Sequence, residues 1–265
     1  MTRRVTLPDL IAMKGERKIV SVTAYDFSFA RLLDRANIDI LLVGDSLGMV
    51  IQGHDTTLPV TLDEMIYHTR AVARGAERAL VVCDLPFGDY QSSPEAAMAS
   101  SARAMKEGAC HAVKLEGGEH MAETIRFLTT RGIPVMGHVG LTPQSVHAFG
   151  GFRMQGRGEA GEQVMADALA VAEAGAGLLI LEGIPAPLAT HITQRVHIPT
   201  IGIGAGPDCD GQVLVLYDLL GLFEGVAPKF VKHYLEGGSL VGEAVNRFAE
   251  EVREGRFPGP EHTSS

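Results

Sequence analysis

With 265 residues, the chain is long enough for one α/β barrel of about 250 residues or for two smaller domains. Charged residues at 21% and hydrophobic residues at 46% describe an ordinary soluble globular protein. The net charge of −9 argues against a nucleic-acid partner, which needs clustered Lys and Arg, but leaves an anionic small substrate open because screening lets local groups govern a pocket.

Met1 to Leu10 has arginines but no apolar signal core, and nowhere do about 18 apolar residues run together. Cys83, Cys110 and Cys209 form no CxxC pair, and their odd number argues against a disulfide framework. A soluble, cytoplasmic protein with no membrane partner is expected.

Thr6-Leu7-Pro8-Asp9-Leu10 reads as a capped helix start, placed to plug the bottom of a barrel. Ile19 to Ala24 is a first strand, and Asp26 to Ala36 a helix with Phe29, Leu32 and Leu33 at helical spacing. Ile40 to Val43 is a second strand, closed by Gly44-Asp45-Ser46-Leu47-Gly48. Thr61 and Glu64 make a capping box for a helix to about Arg74. Ala79 to Cys83 is the third strand, ending at Asp84-Leu85-Pro86, and Ser93-Pro94-Glu95 starts an alanine-rich helix through about Glu107.

The fourth strand is His111 to Glu116, ending in Gly117-Gly118. Side chains two apart share a face, so Lys114 and Glu116 point one way and Val113 and Leu115 the other. A helix follows over about 119–130, then strand five, Pro134 to Gly137, ending in His138. The loop from Leu141 to Gly158 is long enough for a lid, or is a plain surface loop. Strand six, Gly177 to Leu181, ends in Glu182; strand seven, Pro199 to Ile203, leads into Gly204-Ala205-Gly206. That GxGxG turn suits either an anion cradle or tight turn geometry. Gln212 to Leu216 is strand eight, and Gly238 to Gly255 a closing helix with Val241, Val245, Phe248 and Val252 on one face.

Eight strands separated by helices predict a single-domain (β/α)8 barrel over residues 1–265, with a short N-terminal helix and a C-terminal closing helix and tail. The seventh connection is too short for a normal helix, so an open doubly wound sheet is the competing fold.

Barrel active sites lie at the C-terminal strand ends. There the chain places Asp45, Asp84, Lys114 with Glu116, His138 and Glu182, on five successive strands. Taken singly, each such residue is more readily a helix cap than a site residue; together they point to a site. Carboxylates of Asp45, Asp84 and Glu116 in one volume would raise one another's pKa unless a cation sits among them. Oxygen ligands without a nearby Cys suit Mg²⁺, the alternative being that Lys114 alone balances the acids. Magnesium with open positions chelates a 2-oxo acid and stabilises its enolate, beside which Lys114 adds positive charge. Glu182 is the carboxylate placed to take the proton; His138 either binds substrate, shuttles a proton or is a satisfied buried group.

Val43-Gly44-Asp45-Ser46-Leu47-Gly48, Asp84-Leu85-Pro86, Val113 to Gly118, Gly137-His138-Val139-Gly140-Leu141-Thr142-Pro143-Gln144, Leu181-Glu182, Ile201 to Gly206 and Phe257 to His262 together resemble the ketopantoate hydroxymethyltransferase family. The resemblance runs in order from Thr6 to His262. It implies a barrel of the phosphoenolpyruvate-mutase and isocitrate-lyase superfamily, assembled as a homodecamer. It also implies transfer of a one-carbon unit from 5,10-methylenetetrahydrofolate to 3-methyl-2-oxobutanoate, giving 2-dehydropantoate on the way to pantothenate and coenzyme A. By motif, Asp45 and Asp84 match direct Mg²⁺ ligands and Glu116 a nearer or water-mediated one. Asp45, Ser46, Asp84 and Lys114 match the oxo-acid contacts, and Glu182 the proton acceptor. Another lyase or mutase of that superfamily, or a metabolite-binding barrel, are the alternatives.

Overall fold

The computed structural model describes residues 3–223, 225 and 228–264. In chain order its elements are α1 (Leu7–Ile11), β1 (Ile19–Thr23), α2 (Phe27–Arg35), β2 (Ile40–Val43), α3 (Leu47–Val50), α4 (Leu62–Gly75) and β3 (Leu80–Asp84). There follow α5 (Pro94–Gly108), β4 (Ala112–Glu116), α6 (Ala122–Thr129), β5 (Val135–Gly140), α7 (Val146–Phe149), α8 (Ala160–Glu173) and β6 (Leu178–Glu182). The last are α9 (Ala186–Arg195), β7 (Thr200–Ile203), β8 (Gly211–Leu214), α10 (Leu216–Leu219) and α11 (Gly237–Arg253). Strands β1 to β8 are parallel, bond to one another in sequence order, and close because β8 pairs with β1. That last pairing removes the open-sheet alternative.

Two compact units divide the chain, Met1–Val215 with the barrel and Leu216–Ser265 with α10 and α11. In the second unit, Phe248 meets Phe257 edge to face with centroids 5.3 Å apart. Along α11, Val241, Val245, Phe248 and Val252 are all exposed.

Strand periodicity builds the barrel interior in two tiers. Ile40, Leu42, Leu80, Val82, Ala112, Met136, Leu178, Ile180, Ile201 and Val213 form one buried apolar cluster. Val5 and Leu10 belong to it, with Leu7 and Met13 packed alongside, so α1 plugs the barrel as its sequence suggested. Thr6 caps that helix in a reciprocal box with Asp9, and the Thr61–Glu64 box and Ser93 cap form as expected. Two residues further along β3 to β6, the inward positions become Asp84, Lys114, His138 and Glu182. Register aligns Asp84 with Lys114, Glu116 with His138, and Gly140 with Glu182. Val113 and Leu115, on the other face of β4, are wholly buried.

Two strand ends differ from expectation by more than one residue. Strand β5 runs on to Gly140, so His138 lies within the strand and not after it. Strand β8 begins at Gly211 and stops at Leu214, because Leu216 opens α10. The short seventh connection closes without a helix. Asp210 holds it: its Oδ2 accepts the Thr200 N–H at 2.9 Å and pairs with Lys14 Nζ at 2.8 Å. No helix among the described residues is long and apolar enough to cross a membrane.

Candidate active site

Asp45 lies in the turn after β2, where a Cβ on Gly44 would stand 2.8 Å from Ser46 Oγ and would force that hydroxyl to shift. Ser46 precedes α3 without capping it; its Oγ instead lies 2.9 Å from the Tyr25 hydroxyl. Asp84 ends β3, Lys114 and Glu116 share the inward face of β4, His138 comes from β5 and Glu182 ends β6. Five of these ionisable groups are 5% exposed or less, a burial that polar side chains tolerate only with partners. Glu182 is the open one, with 16% of its side chain exposed.

Lys114 is the hub. Its Nζ donates to Asp84 Oδ1 at 2.8 Å and Oδ2 at 2.9 Å, and to Glu116 Oε1 at 3.3 Å. Asp84 also approaches the next strand, its Oδ2 lying 3.4 Å from the Asp45 N–H. His138 sits between two carboxylates, with Nδ1 3.4 Å from Glu116 Oε1 and Nε2 3.2 Å from Glu182 Oε2. Both separations are ion-pair distances, but neither ring N–H is aimed for a hydrogen bond. The interaction is mainly that of charge with charge.

Burial pushes Asp45 well above the ordinary carboxylate range, and neighbouring Asp84 adds to the shift. Asp84 is likewise raised by burial, with Lys114 pulling against it. Glu116 is the exception: burial opposes its charge, but Lys114 and His138 overcome it and hold its pKa below the usual value. Burial also works against the Lys114 ammonium, yet Asp84, Glu116 and Asp45 raise its pKa and keep it charged. Burial and Lys114 disfavour a charged His138, while Glu116 and Glu182 on either side lift it to about 9. The tier therefore carries excess negative charge that two cationic side chains only partly offset.

All the sequence-derived candidates except Ser46 and Glu182 are knitted into this one buried cluster; Ser46 joins through the turn and Glu182 through His138. Among the described residues, no three His, Cys, Asp or Glu side chains close around a point as a ready-made metal cage. Glu116 explains why. Its Oε1 faces Lys114 and His138, and its Oε2 accepts the Gln144 N–H at 3.0 Å. Asp45 and Asp84 remain as an adjacent pair of hard oxygen donors, each with its pKa raised first by burial.

Residues without a sequence-derived role complete the cluster. Tyr90 and Gln144, both buried, bond to each other at 2.6 Å and to Glu116 and Asp45. Gln144 stands in the Gly137-to-Gln144 motif, but nothing in its spacing signals a role; Tyr90 carries no signal at all. A cavity of about 340 Å³ opens beside Glu116, walled by Phe87, Tyr90, Gln144 and Phe149. The possible lid segment is partly helical, with a turn at Pro143–Ser145 leading into α7. In the GxGxG segment, the Gly206 carbonyl accepts from Gln212 Nε2 at 2.9 Å, which favours turn geometry.

Known proteins agree with this geometry. Residues 4–260 match the family model described as ketopantoate hydroxymethyltransferase. A 3-methyl-2-oxobutanoate hydroxymethyltransferase of Magnetococcus marinus is 62% identical, over 99% of each chain. Another, from Pelobacter propionicus, is 58% identical over 99% of this chain and 98% of its own. A solved phosphonopyruvate hydrolase superposes with a TM-score of 0.63 at 14% identity, covering 100% of this chain and 92% of its own. A 2,3-dimethylmalate lyase described as a PEP mutase/isocitrate lyase superfamily member gives 0.56 at 16%, covering 96% and 88%. The structural likenesses establish the barrel type; the sequence matches go further, and the chain, a transferase, belongs to the ketopantoate hydroxymethyltransferase family.

Proposed function

We propose that the protein transfers a hydroxymethyl group from 5,10-methylenetetrahydrofolate to 3-methyl-2-oxobutanoate, giving 2-dehydropantoate for pantothenate and coenzyme A synthesis in the cytoplasm. The observation that carries this is an open carboxylate, Glu182, facing an interior whose buried acids outnumber its cations. A carbon acid needs that combination: a base to take its proton, and positive charge where the resulting negative charge collects.

Asp45 and Asp84 are the residues that would hold Mg²⁺, with Glu116 outside them, since its oxygens are occupied by Lys114, His138 and Gln144. Bound there, Mg²⁺ supplies a Lewis acid for the 2-oxo carbonyl and carboxylate. A solved phosphonopyruvate hydrolase was obtained in complex with oxalate and Mg²⁺, and oxalate, like a 2-oxo acid, offers oxygens on two adjacent carbons. The Ser46 hydroxyl, 2.9 Å from the Tyr25 hydroxyl, would bind the oxo acid's carboxylate.

Glu182 takes the proton from C3 of 3-methyl-2-oxobutanoate, the enolate carbon bonds to the folate-borne methylene, and water supplies the hydroxyl oxygen as both methylene C–N bonds break and tetrahydrofolate leaves. His138, its pKa lifted to about 9 and its Nε2 3.2 Å from Glu182 Oε2, sets a positive charge beside that carboxylate. Lys114 spends its protons on Asp84 and Glu116, so it serves the enolate through its field unless the substrate displaces one of those bonds. The exposed apolar row on α11 is a surface that further copies would need to cover, in keeping with a homodecamer.

The test is isotopic. Given the oxo acid and Mg²⁺ in D₂O without folate, the protein should incorporate deuterium at C3. Glu182→Gln should lose that exchange by about 10²–10⁴-fold, the span of general-base catalysis, while still binding the oxo acid. No exchange by wild type while the full reaction runs would remove the enolate-first route. A fully active Glu182→Gln would remove Glu182 as the base.

A further inference from the structure

Gln144 touches two of the four site carboxylates at once. It lies in the turn after β5 and is 5% exposed. Its main-chain N–H donates to Glu116 Oε2 at 3.0 Å, while its side-chain Nε2 donates to Asp45 Oδ2 and the Leu85 carbonyl, both at 2.9 Å. Its Oε1 accepts from the Tyr90 hydroxyl at 2.6 Å and from Gln91 Nε2 at 3.0 Å. Both donor hydrogens and both lone pairs of the amide are thereby used.

The neighbours also decide which way the amide points. The Glu116 N–H can only donate, and it meets the Tyr90 oxygen at 3.0 Å. Tyr90 has one proton, and its shortest acceptor is Gln144 Oε1 at 2.6 Å. The amide nitrogen is then turned to Asp45 and to the Leu85 carbonyl, which can only accept. The opposite flip would set the amide oxygen against Asp45 Oδ2 and the Leu85 carbonyl oxygen, and the amide nitrogen against Gln91 Nε2. Tyr90 is 1% exposed, so water cannot readily stand in for it.

We infer that Gln144 is a positioning residue for the cation-binding acids. It spans Asp45 and Glu116, fixing their separation from outside β2 and β4, and it engages Asp45 Oδ2 so that Oδ1 is the oxygen presented to a metal. Tyr90 holds the amide the right way round. A carboxylate with one oxygen spoken for binds through the other alone, which suits an ion that keeps several waters and takes few carboxylates. The inference rests on the proposal above that Asp45 and Asp84 hold a divalent cation.

Mn²⁺ titration followed by electron paramagnetic resonance, on folded protein without substrates, reads this directly. Gln144→Met, which preserves length and apolar bulk but removes the amide, should raise the Mn²⁺ Kd by about 10–100-fold, the usual cost of losing an outer partner of a metal ligand. Tyr90→Phe should raise it by less. The double variant should match Gln144→Met, because without the amide the hydroxyl has nothing to orient. In steady state, the apparent KM for Mg²⁺ should rise in step while kcat at saturating Mg²⁺ changes little.

A lowered unfolding midpoint with unchanged Mn²⁺ affinity would overturn the inference, as would strictly additive effects in the double variant. If Gln144→Met does not fold, Tyr90→Phe decides: a raised Kd supports positioning and an unchanged one overturns it. Wild type that binds Mn²⁺ while the variants bind equally well refutes Gln144 alone. Wild type that binds none refutes the cation site itself.

Discussion

The barrel buries charge at both ends, but on different terms. At the N-terminal end, Asp39 is 2% exposed and answers to two arginines, Arg17 at 2.8 Å and Arg78 at 2.9 Å, with the Val20 N–H at 3.1 Å. Nearby, Asp210 has Lys14 and two bonds from Thr200. Each of these two buried acids has a cation of its own. At the C-terminal end, Asp45, Asp84 and Glu116 share one lysine, and His138 stands between two carboxylates with neither ring nitrogen properly hydrogen-bonded. The first arrangement is finished and holds strands in place. The second is left in deficit, the condition in which a site still has interaction energy to offer a ligand.

Substitutions can break that contrast, and the largest effect belongs to Lys114. Lys114→Met leaves Asp84 and Glu116 buried without their cation and should cost about 3–5 kcal/mol of stability at neutral pH, with activity lost. Urea unfolding would show it, and the loss should shrink in acid as the carboxylates protonate. An unaltered midpoint would mean that the acids are neutral in the folded protein.

Next comes His138, whose folded pKa is raised from 6.5 to about 9. A raised base contributes stability that is fully present below pH 6.5 and lost as pH climbs through about 9. Melting temperatures should therefore fall between those limits for wild type and fall less for His138→Gln. Equal slopes would deny the histidine its charge.

Asp39→Asn should cost less, about 2 kcal/mol, because Arg17 is half exposed and Arg78 keeps its bond to the Ile38 carbonyl. It should leave the KM for the oxo acid untouched, and a changed KM would contradict the assignment of that end to structure alone.

The smallest effect has the opposite sign. Asp45 has a raised folded pKa, so its contribution is full below about 3.8 and lost as pH rises through the folded value. Asp45→Asn should therefore stabilise the metal-free protein at neutral pH by about 1 kcal/mol while abolishing turnover, a stability–activity trade-off. Destabilisation instead would place Asp45 with the finished end of the barrel.

Strand order and the inward ends were legible because period-two alternation and glycine turns are local properties; Lys114 and Glu116 two apart on one strand required a shared face. His138 was legible as a residue but misplaced along its strand, since a Gly-His-Val-Gly run does not declare where pairing stops. Tyr90 and Gln144 were not legible as partners. Their contact joins residues 54 apart through loop conformation, which no periodicity encodes. The division of labour between the acids was hidden for the same reason: it depends on which oxygen the Gln144 main chain reaches.

The α1 plug has a kinetic corollary. With Val5 and Leu10 sealing the lower mouth, molecules reach the ionised tier only across the rim formed by the strand ends. Two reactants then share one doorway, and the smaller has to sit deeper. On the proposed reaction, the oxo acid enters before the bulky folate, and the enlarged acid leaves only after the spent carrier has cleared the way. The helix at the floor of the barrel thus sets the order of traffic at its roof.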